Sequence, residues 1–259
     1  MSNPELAKRL WAARRDGHVI EIAENDVPAN EFISYGTQLA AVAASGMERV
    51  GWKVGSTSAE AQKLLGTKSP GAAPLLRPYC YGNGAEIPIH AAHQPAVEGE
   101  FVLRFNRDLP VRAEGYLEWE VLEAIDAVAP GVEVVGSRRA GGLFGQGRLL
   151  VNADFGANIA FARGEWVTPL KGFDLASTGV ELYVNGDQTA EGTGAVALGS
   201  PLNVAVWLAN HLNHRSLGIK AGEVVATGTC TGVKPVKAGD RVRVDFGPLG
   251  DLEVSFIEA

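Results

Sequence analysis

Cysteine is nearly missing from this 259-residue chain: there are two, Cys80 and Cys230, far apart and outside any Cys-x-x-Cys spacing. A disulfide framework or a thiolate zinc site is therefore excluded as an organising device, and both residues are expected to be buried free thiols. Clusters of lysine and arginine are missing too. With a formal charge of −7, neither nucleic acid nor an anionic membrane is an expected partner. No apolar run approaches the ~18 residues that a membrane span needs, and Met1 to Arg15 is polar with helical spacing rather than an apolar leader, so a soluble, cytoplasmic protein is expected. Repeats, low-complexity tracts and Pro/Gly/Ser linkers are lacking as well. The expectation is one globular body, and 46% apolar residues supply its core.

Several nucleotide and hydrolase motifs are absent. The run Gly141-Gly142-Leu143-Phe144-Gly145-Gln146-Gly147 does not have the Gly-x-Gly-x-x-Gly order, and Gly228 to Lys234 does not have the spacing of a phosphate-binding loop. These glycines read as turn and close-packing residues. No Gly-x-Ser-x-Gly elbow supports a serine nucleophile. His90/His93 and His211/His214 stand three apart with no adjoining carboxylate motif, and they read as surface or capping histidines rather than metal ligands.

What is present begins with helices. Leu6, Leu10 and Trp11 give a first amphipathic helix; Phe32, Tyr35, Leu39 and Val42 give a second, from after Pro28 to near Gly46; Ala59 to Leu65 can form a third. Leu117, Val121, Ile125 and Val128 predict a fourth over Leu117 to Val128, stopped by Pro130-Gly131. Ser200 is a natural cap and Pro201 a natural first residue for another, with Leu202, Val206 and Ala209 following. Strands are expected at Val50 to Gly55, Val132 to Val135, Leu149 to Ala160, Val180 to Val184, Val224 to Gly228, Arg241 to Phe246 and Leu252 to Ile257, with Asn185-Gly186 as a hairpin turn. Residues 1–75 read as an N-terminal helical and strand element packed on a core formed by residues 76–259.

The most informative stretch is Pro95 to Leu103, where Glu98 and Glu100 stand two apart inside an otherwise apolar run. In a strand they share a face and repel, and burial of both calls for a counter-charge, so a cation site is one reading. A half-exposed strand with two solvated carboxylates is the other. Glu133, inside Val132-Val134-Val135, can equally be the outward residue of an edge strand.

Six motifs taken in order resemble the fumarylacetoacetate hydrolase superfamily, within it the 2-keto-4-pentenoate hydratase and 4-oxalocrotonate decarboxylase branch. They are Gly51-Trp52-Lys53-Val54-Gly55, Glu98-Gly99-Glu100, Asn106 to Pro110, Val132 to Arg138, Leu198 to Asn203 with Val206 to Ala209, and Thr227-Gly228-Thr229. The resemblance covers about residue 30 to the C-terminus. It implies an α/β (α+β) fold, a mixed β-roll or sandwich core with peripheral helices, assembled as a homo-oligomer. It also implies a Mg²⁺ or Mn²⁺ site made by Glu98, Glu100 and Glu133, a donor set of hard oxygens that suits those ions.

By the same resemblance, Lys53 binds or protonates the substrate and Thr229 binds its carboxylate, while Ser137, Arg138 and Asp154 support the site. Read from the residues alone, Lys53 can also be a lysine snorkelling from a strand end, and Thr229 a turn threonine. For an acid/base at neutral pH the pKa of Lys53 is expected to be lowered. The implied activity is hydration of a 2-hydroxy-2,4-dienoate to a 4-hydroxy-2-oxo acid. Alternatives are a 2-oxo-acid decarboxylase, a carbon–carbon bond hydrolase of an acylpyruvate, and a non-catalytic subunit complexed with a homologous pathway enzyme. Two departures stand out: the branch's acidic residue after a proline is Gly71 here, and its histidine before Pro-Leu-Asn is Ser200.

Overall fold

The computed structural model describes every residue except Met1, Phe144, Gln146 and Lys171; two members of the glycine-rich run thus lie outside the described residues. Helix α1 (Pro4–Asp16) starts from Asn3, whose side chain accepts the Leu6 N–H, and stops at Gly17 in the left-handed region. Helix α2 (Glu31–Ser45) is capped in the same way by Asn30 and Gly46. Then come β1 (Arg49–Gly55), α3 (Ala59–Leu64), β2 (Gly71–Leu76), β3 (Cys80–Gly82), β4 (Glu86–Ile89) and β5 (Ala96–Phe105). The middle of the chain holds α4 (Glu118–Leu122), β6 (Ile125–Val135), α5 (Arg148–Ala153), β7 (Asn158–Arg163), β8 (Gly179–Val184) and β9 (Asp187–Thr193). It ends with α6 (Pro201–Asn213), β10 (Val224–Ala226), β11 (Lys234–Pro235), β12 (Arg241–Asp245) and β13 (Asp251–Glu258).

Two curled sheets organise these strands. One runs β2-β1-β10-β5-β6-β7-β3, with β11 lying along the start of β5; the other runs β4-β13-β12-β8-β9. Period-two alternation along β5 does the sorting. Val97, Phe101, Leu103 and Phe105 enter the main core, where they meet Leu182, Val244 and Phe256 of the second sheet, and the Phe101 and Phe246 rings meet edge to face at 4.9 Å. The even-numbered residues, Ala96, Glu98, Glu100 and Val102, therefore look the other way. In β6 the same alternation sends Val132 and Val134 to the main core and leaves Glu133 and Val135 on the face of Glu98.

Most predicted elements are present, and Ser200 does cap α6 through its hydroxyl. Three expectations are corrected. The predicted helix over Leu117 to Val128 ends at Leu122, and Ile125 already belongs to β6. Helical spacing of four apolar residues was matched by chance; pairing with β5 along ten residues, Ala96 to Phe105, decides the conformation. Pro130 sits inside β6 because its carbonyl side faces the end of β7, where Gly164 N–H bonds to it and no ladder N–H is needed.

The predicted strand Leu149 to Ala160 is instead α5, a turn, and then β7. Arg148 ties the start of α5 to Glu31 at 2.8 Å and to the carbonyls of Ser69 and Pro70, which holds that segment off the sheet. In α2 the expected apolar face is only partly the buried one: Tyr35 is buried and Val42 packs half-buried against the α1 cluster, but Phe32 is 70% exposed, and the buried face is completed by Ser34, Thr37, Gln38 and Ala41. That buried face is satisfied by hydrogen bonds, notably Gln38 Nε2 to the carbonyls of Asn152 (2.6 Å) and Ala72 (3.2 Å), and Ala72 N–H to Tyr35 Oη (3.2 Å).

This orientation predicts that Gln38→Leu destabilises the protein by roughly 1–3 kcal/mol, through two buried carbonyls left unpaired. Phe32→Ser should change stability by no more than about 0.5 kcal/mol. Urea unfolding measures both, and a larger loss for Phe32→Ser would reverse the assigned face.

Candidate metal centre and active site

The β5–β6 register places Glu98 directly opposite Glu133, while Glu100 follows Glu98 on the same face. Carboxylate oxygens of the three residues lie within 4.8 Å of one another. Glu100 and Glu133 are fully buried, and Glu98 opens onto a cavity. The alternative of two solvated surface glutamates is thereby removed, as is that of an outward-facing Glu133.

Each buried carboxylate has one oxygen held and one without a hydrogen-bond donor. Glu100 Oε2 accepts the Gly228 N–H at 2.9 Å, and Glu133 Oε1 accepts Asn158 Nδ2 at 2.8 Å. Glu100 Oε1 and Glu133 Oε2 receive no hydrogen bond. Asn158 is oriented in turn by Arg14 of α1, whose guanidinium donates to Asn158 Oδ1 at 3.1 Å and to Ile159 O at 2.9 Å, and lies over the Tyr79 and Phe155 rings. The Glu100 oxygen without a donor, the Glu133 oxygen that meets only the charge of Lys53, and the hard-oxygen donor set fit a divalent cation among Glu98, Glu100 and Glu133.

Lys53 rises from β1 between its neighbours Ala226 and Ala73. Its ammonium stands 3.2 Å from Glu133 Oε2 and donates to the Gly156 carbonyl at 2.8 Å. That carbonyl is aimed by an unusual turn: Phe155, Gly156 and Ala157 all have φ between 52° and 68°, two of them with a side chain that disfavours this region. Arg138, completely buried, clamps the turn from outside. It donates Nε to Asp154 Oδ1 at 2.7 Å, Nη2 to the Asp154 carbonyl at 2.6 Å and Nη1 to the Asn158 carbonyl at 3.0 Å. A Cβ on Gly156 would come within 2.9 Å of Ala73 Cβ, so glycine is required there.

Burial drives the titration of this cluster. Desolvation, then the charge of Glu133, pushes the Glu98 carboxyl up to about 7, against a smaller opposing effect of Lys53. Desolvation with the charges of Glu133 and Glu98 lifts Glu100 well above the carboxylate range. For Lys53 burial pulls downward, but Glu133, Glu98 and Glu100 together outweigh it and the net shift is upward. In the metal-free site the expected lowering of the lysine pKa is therefore absent, and the carboxylates favour the Lys53 ammonium.

The cavity above the carboxylates measures about 100 Å³. Lys53, Glu98 and Thr229 are its polar wall residues besides Ser56, and the rest is aliphatic, with Leu64, Leu65, Leu143, Val151 and Val233. Thr229 lines this cavity, and its Oγ1 accepts the Gly232 N–H at 2.8 Å. Ser200 is used in capping α6. His93 is not a surface residue: it is buried, with Nε2 facing the carbonyls of Ala13 and His18, and desolvation followed by Arg138 pushes its pKa down to about 4. His211 is partly buried and stacks on Trp207. Both cysteines are free, Cys230 buried and Cys80 half-buried.

Arg14, Asn158 and Gly156 were not singled out from the sequence. Arg14 alone left a trace, a charged residue following Leu10 and Trp11 on the apolar side of α1. The other two reach the site through turns that no local pattern announces.

Fold and acidic centre together define a member of a known class. The Fumarylacetoacetate (FAA) hydrolase C-terminal family model matches residues 56–257, and the chain belongs to this family. Among its relatives, 2-keto-4-pentenoate hydratase of Paraburkholderia xenovorans (strain LB400) is 33% identical over 211 residues, 82% of this chain and 77% of that protein. The 2-keto-4-pentenoate hydratase of Burkholderia vietnamiensis (strain G4 / LMG 22486) is 30% identical over 98% of this chain and 97% of its own length. In structure the chain resembles 4-oxalocrotonate decarboxylase from Pseudomonas putida G7, complexed with magnesium and adipate, with a TM-score of 0.88, 31% identity, and coverage of 98% and 97%.

A cation entering this site must displace protons from Glu98, whose carboxyl is pushed up to about 7, and from Glu100, lifted well above the carboxylate range, so its affinity should rise with pH through about 7. A carboxyl raised in the folded state contributes stability that is present below its unfolded pKa near 4.5 and is lost as pH rises through about 7. Metal restores that loss. The increase in melting temperature on adding Mg²⁺ should therefore be larger at pH 8 than at pH 5, and should vanish in Glu100→Ala. An equal increase at both pH values, or Mg²⁺ binding by Glu100→Ala in calorimetry, would refute the three-carboxylate site.

Proposed function

We propose that this protein is a divalent-metal-dependent hydro-lyase that adds water to a 2-hydroxy-2,4-dienoate and releases a 4-hydroxy-2-oxo acid. The observation that carries this reading is the pairing of the Glu98, Glu100 and Glu133 cluster with a Lys53 ammonium at the floor of a cavity whose upper walls are aliphatic. Hydratases among its relatives support it, including 2-hydroxyhexa-2,4-dienoate hydratase of Comamonas testosteroni, 32% identical over 83% of this chain.

Mg²⁺ or Mn²⁺ held by the three glutamates would neutralise negative charge on the carboxylate and 2-oxygen of the substrate. Lys53, protonated and fixed by Glu133 and Gly156, is placed to supply a proton to the dienol carbon that gains hydrogen. Over the reaction the enol hydrogen leaves the 2-oxygen, C5 gains a hydrogen, and water divides between C4 as hydroxyl and C3 as hydrogen. Thr229 offers a hydroxyl to the substrate carboxylate from the cavity wall. We place this chemistry in the cytoplasm, in a homo-oligomer whose contact includes the exposed Leu117 and Trp119 at the start of α4.

The aliphatic cavity wall also favours hydration over decarboxylation of a diacid. Among the described residues lining it, Lys53 is the cation, and it faces the metal ligands. A second carboxylate at the far end of a substrate would lose its hydration against leucine and valine.

Gly71 belongs to the same question. It is a buried strand residue, and a Cβ there would lie 2.6 Å from Asn152 Oδ1. The space an acidic side chain would need is filled by the Asn152 amide. Gly71→Asp should therefore cost roughly 1–3 kcal/mol of stability by overpacking and should not raise the hydration rate.

Lys53→Met should lower turnover of 2-hydroxypenta-2,4-dienoate by ~10²-fold or more. Without metal it should also destabilise the fold by a few kcal/mol, about the effect of breaking a buried ion pair, and Mg²⁺ should return most of that. Loss of dienol absorbance and product mass report the activity. Near-normal turnover by Lys53→Met, or CO₂ release from a 2-oxo diacid in place of water addition, would overturn the assignment.

A further inference from the structure

A second cavity, of about 360 Å³, adjoins the first and shares two of its wall residues, Leu143 and Val233. The wall between them is made of side chains. Ala96, Val135 and Ala157 form a small apolar cluster against which Leu143, Val151 and Val233 pack half-buried. Ala96 lines the second cavity and Val135 the first, and the two are cross-strand partners in the β5–β6 ladder.

The geometry of β5 sets the distance. Ala96 precedes Glu98 by two residues on the same face, so the second cavity opens roughly 7 Å along the strand from the carboxylate cluster. A five-carbon dienoate held at Glu98 and Lys53 occupies the smaller chamber. Carbon atoms beyond C5 run against the side chains of Leu143 and Val233, which also border the second cavity beside Ile89, Pro95, Ala96 and Val236, with Gln94 as its uncharged polar wall residue. The charged groups on the outer rim, Lys237 and Glu258, are one of each sign.

We infer that this second cavity is a distal subsite that takes an uncharged alkyl or aryl tail attached to C5 of the substrate. The inference rests on the hydratase reading for the position of the substrate head. It makes the protein a hydratase of tail-bearing dienoates rather than of the five-carbon acid alone, with Leu143 and Val233 as the residues that set how thick a tail can pass.

The test uses binding, so that it does not depend on turnover. In the presence of Mg²⁺, calorimetry with 2-oxobutanoate, 2-oxooctanoate and 2-oxooctanedioate should show the eight-carbon monoacid binding about 10-fold tighter or more than the four-carbon acid, as burial of several methylenes requires. The diacid should lose most of that advantage. Ala238→Trp and Ala91→Trp each place a ring in the second cavity, at positions that do not line the first, and should reduce the chain-length advantage to about 2-fold. The inference is overturned if native protein binds the two monoacids equally, if the advantage persists with both tryptophans present, or if the diacid binds tightest. Tight binding of 2-oxooctanoate with no hydration of any dienoate would support the subsite and overturn the hydratase reading instead.

Discussion

Three carboxylates in one buried pocket repel, and the rest of the site is arranged around that repulsion. Glu98, Glu100 and Glu133 carry three negative charges when ionised, and the Lys53 ammonium offsets one. The residual charge of about −2 is the charge a divalent ion cancels. Without the ion, protons fill the role, which is why burial and mutual repulsion lift Glu98 and Glu100. The surrounding protein donates few hydrogen bonds to these groups, one from Gly228 and one from Asn158, and so leaves oxygens available for coordination.

Such a cluster is tolerable only where the backbone around it is rigid. The long β5–β6 ladder fixes the separation of Glu98 and Glu133, and the core behind it, with Phe101 against Phe246, prevents the strands from sliding. On the Lys53 side, rigidity comes from a left-handed turn at Phe155, Gly156 and Ala157, which is locally unfavourable and is held by the Arg138 to Asp154 contacts. Strain stored beside a reacting group is a frequent feature of functional sites. Here its product is a carbonyl that holds the ammonium in one place.

Relatives named as hydratases and a structural neighbour named as a decarboxylase both resemble this chain, so the family alone does not distinguish the reactions. In the proposed function that distinction falls to the cavity wall. Leu64 and Leu65 at the end of α3 region, Val151 from α5 and Val233 beside β11 give an aliphatic surface. A surface of this kind accepts an apolar tail and rejects a second charge.

The sequence by itself determined the alternation of β5, the cap of α6, the family, and the identity of the acidic residues, because each is written in local spacing or in motif order. Only the tertiary structure decided that Ile125 to Val135 is strand and not helix, since that choice depends on pairing with a segment far away in the chain. It alone turned the polar face of α2 inward, where carbonyls of β2 and α5 wait for Gln38. The direction of the Lys53 shift was equally out of reach. Burial and charge act on it with opposite sign, and which one prevails is set by how many carboxylates the fold brings within reach of one ammonium.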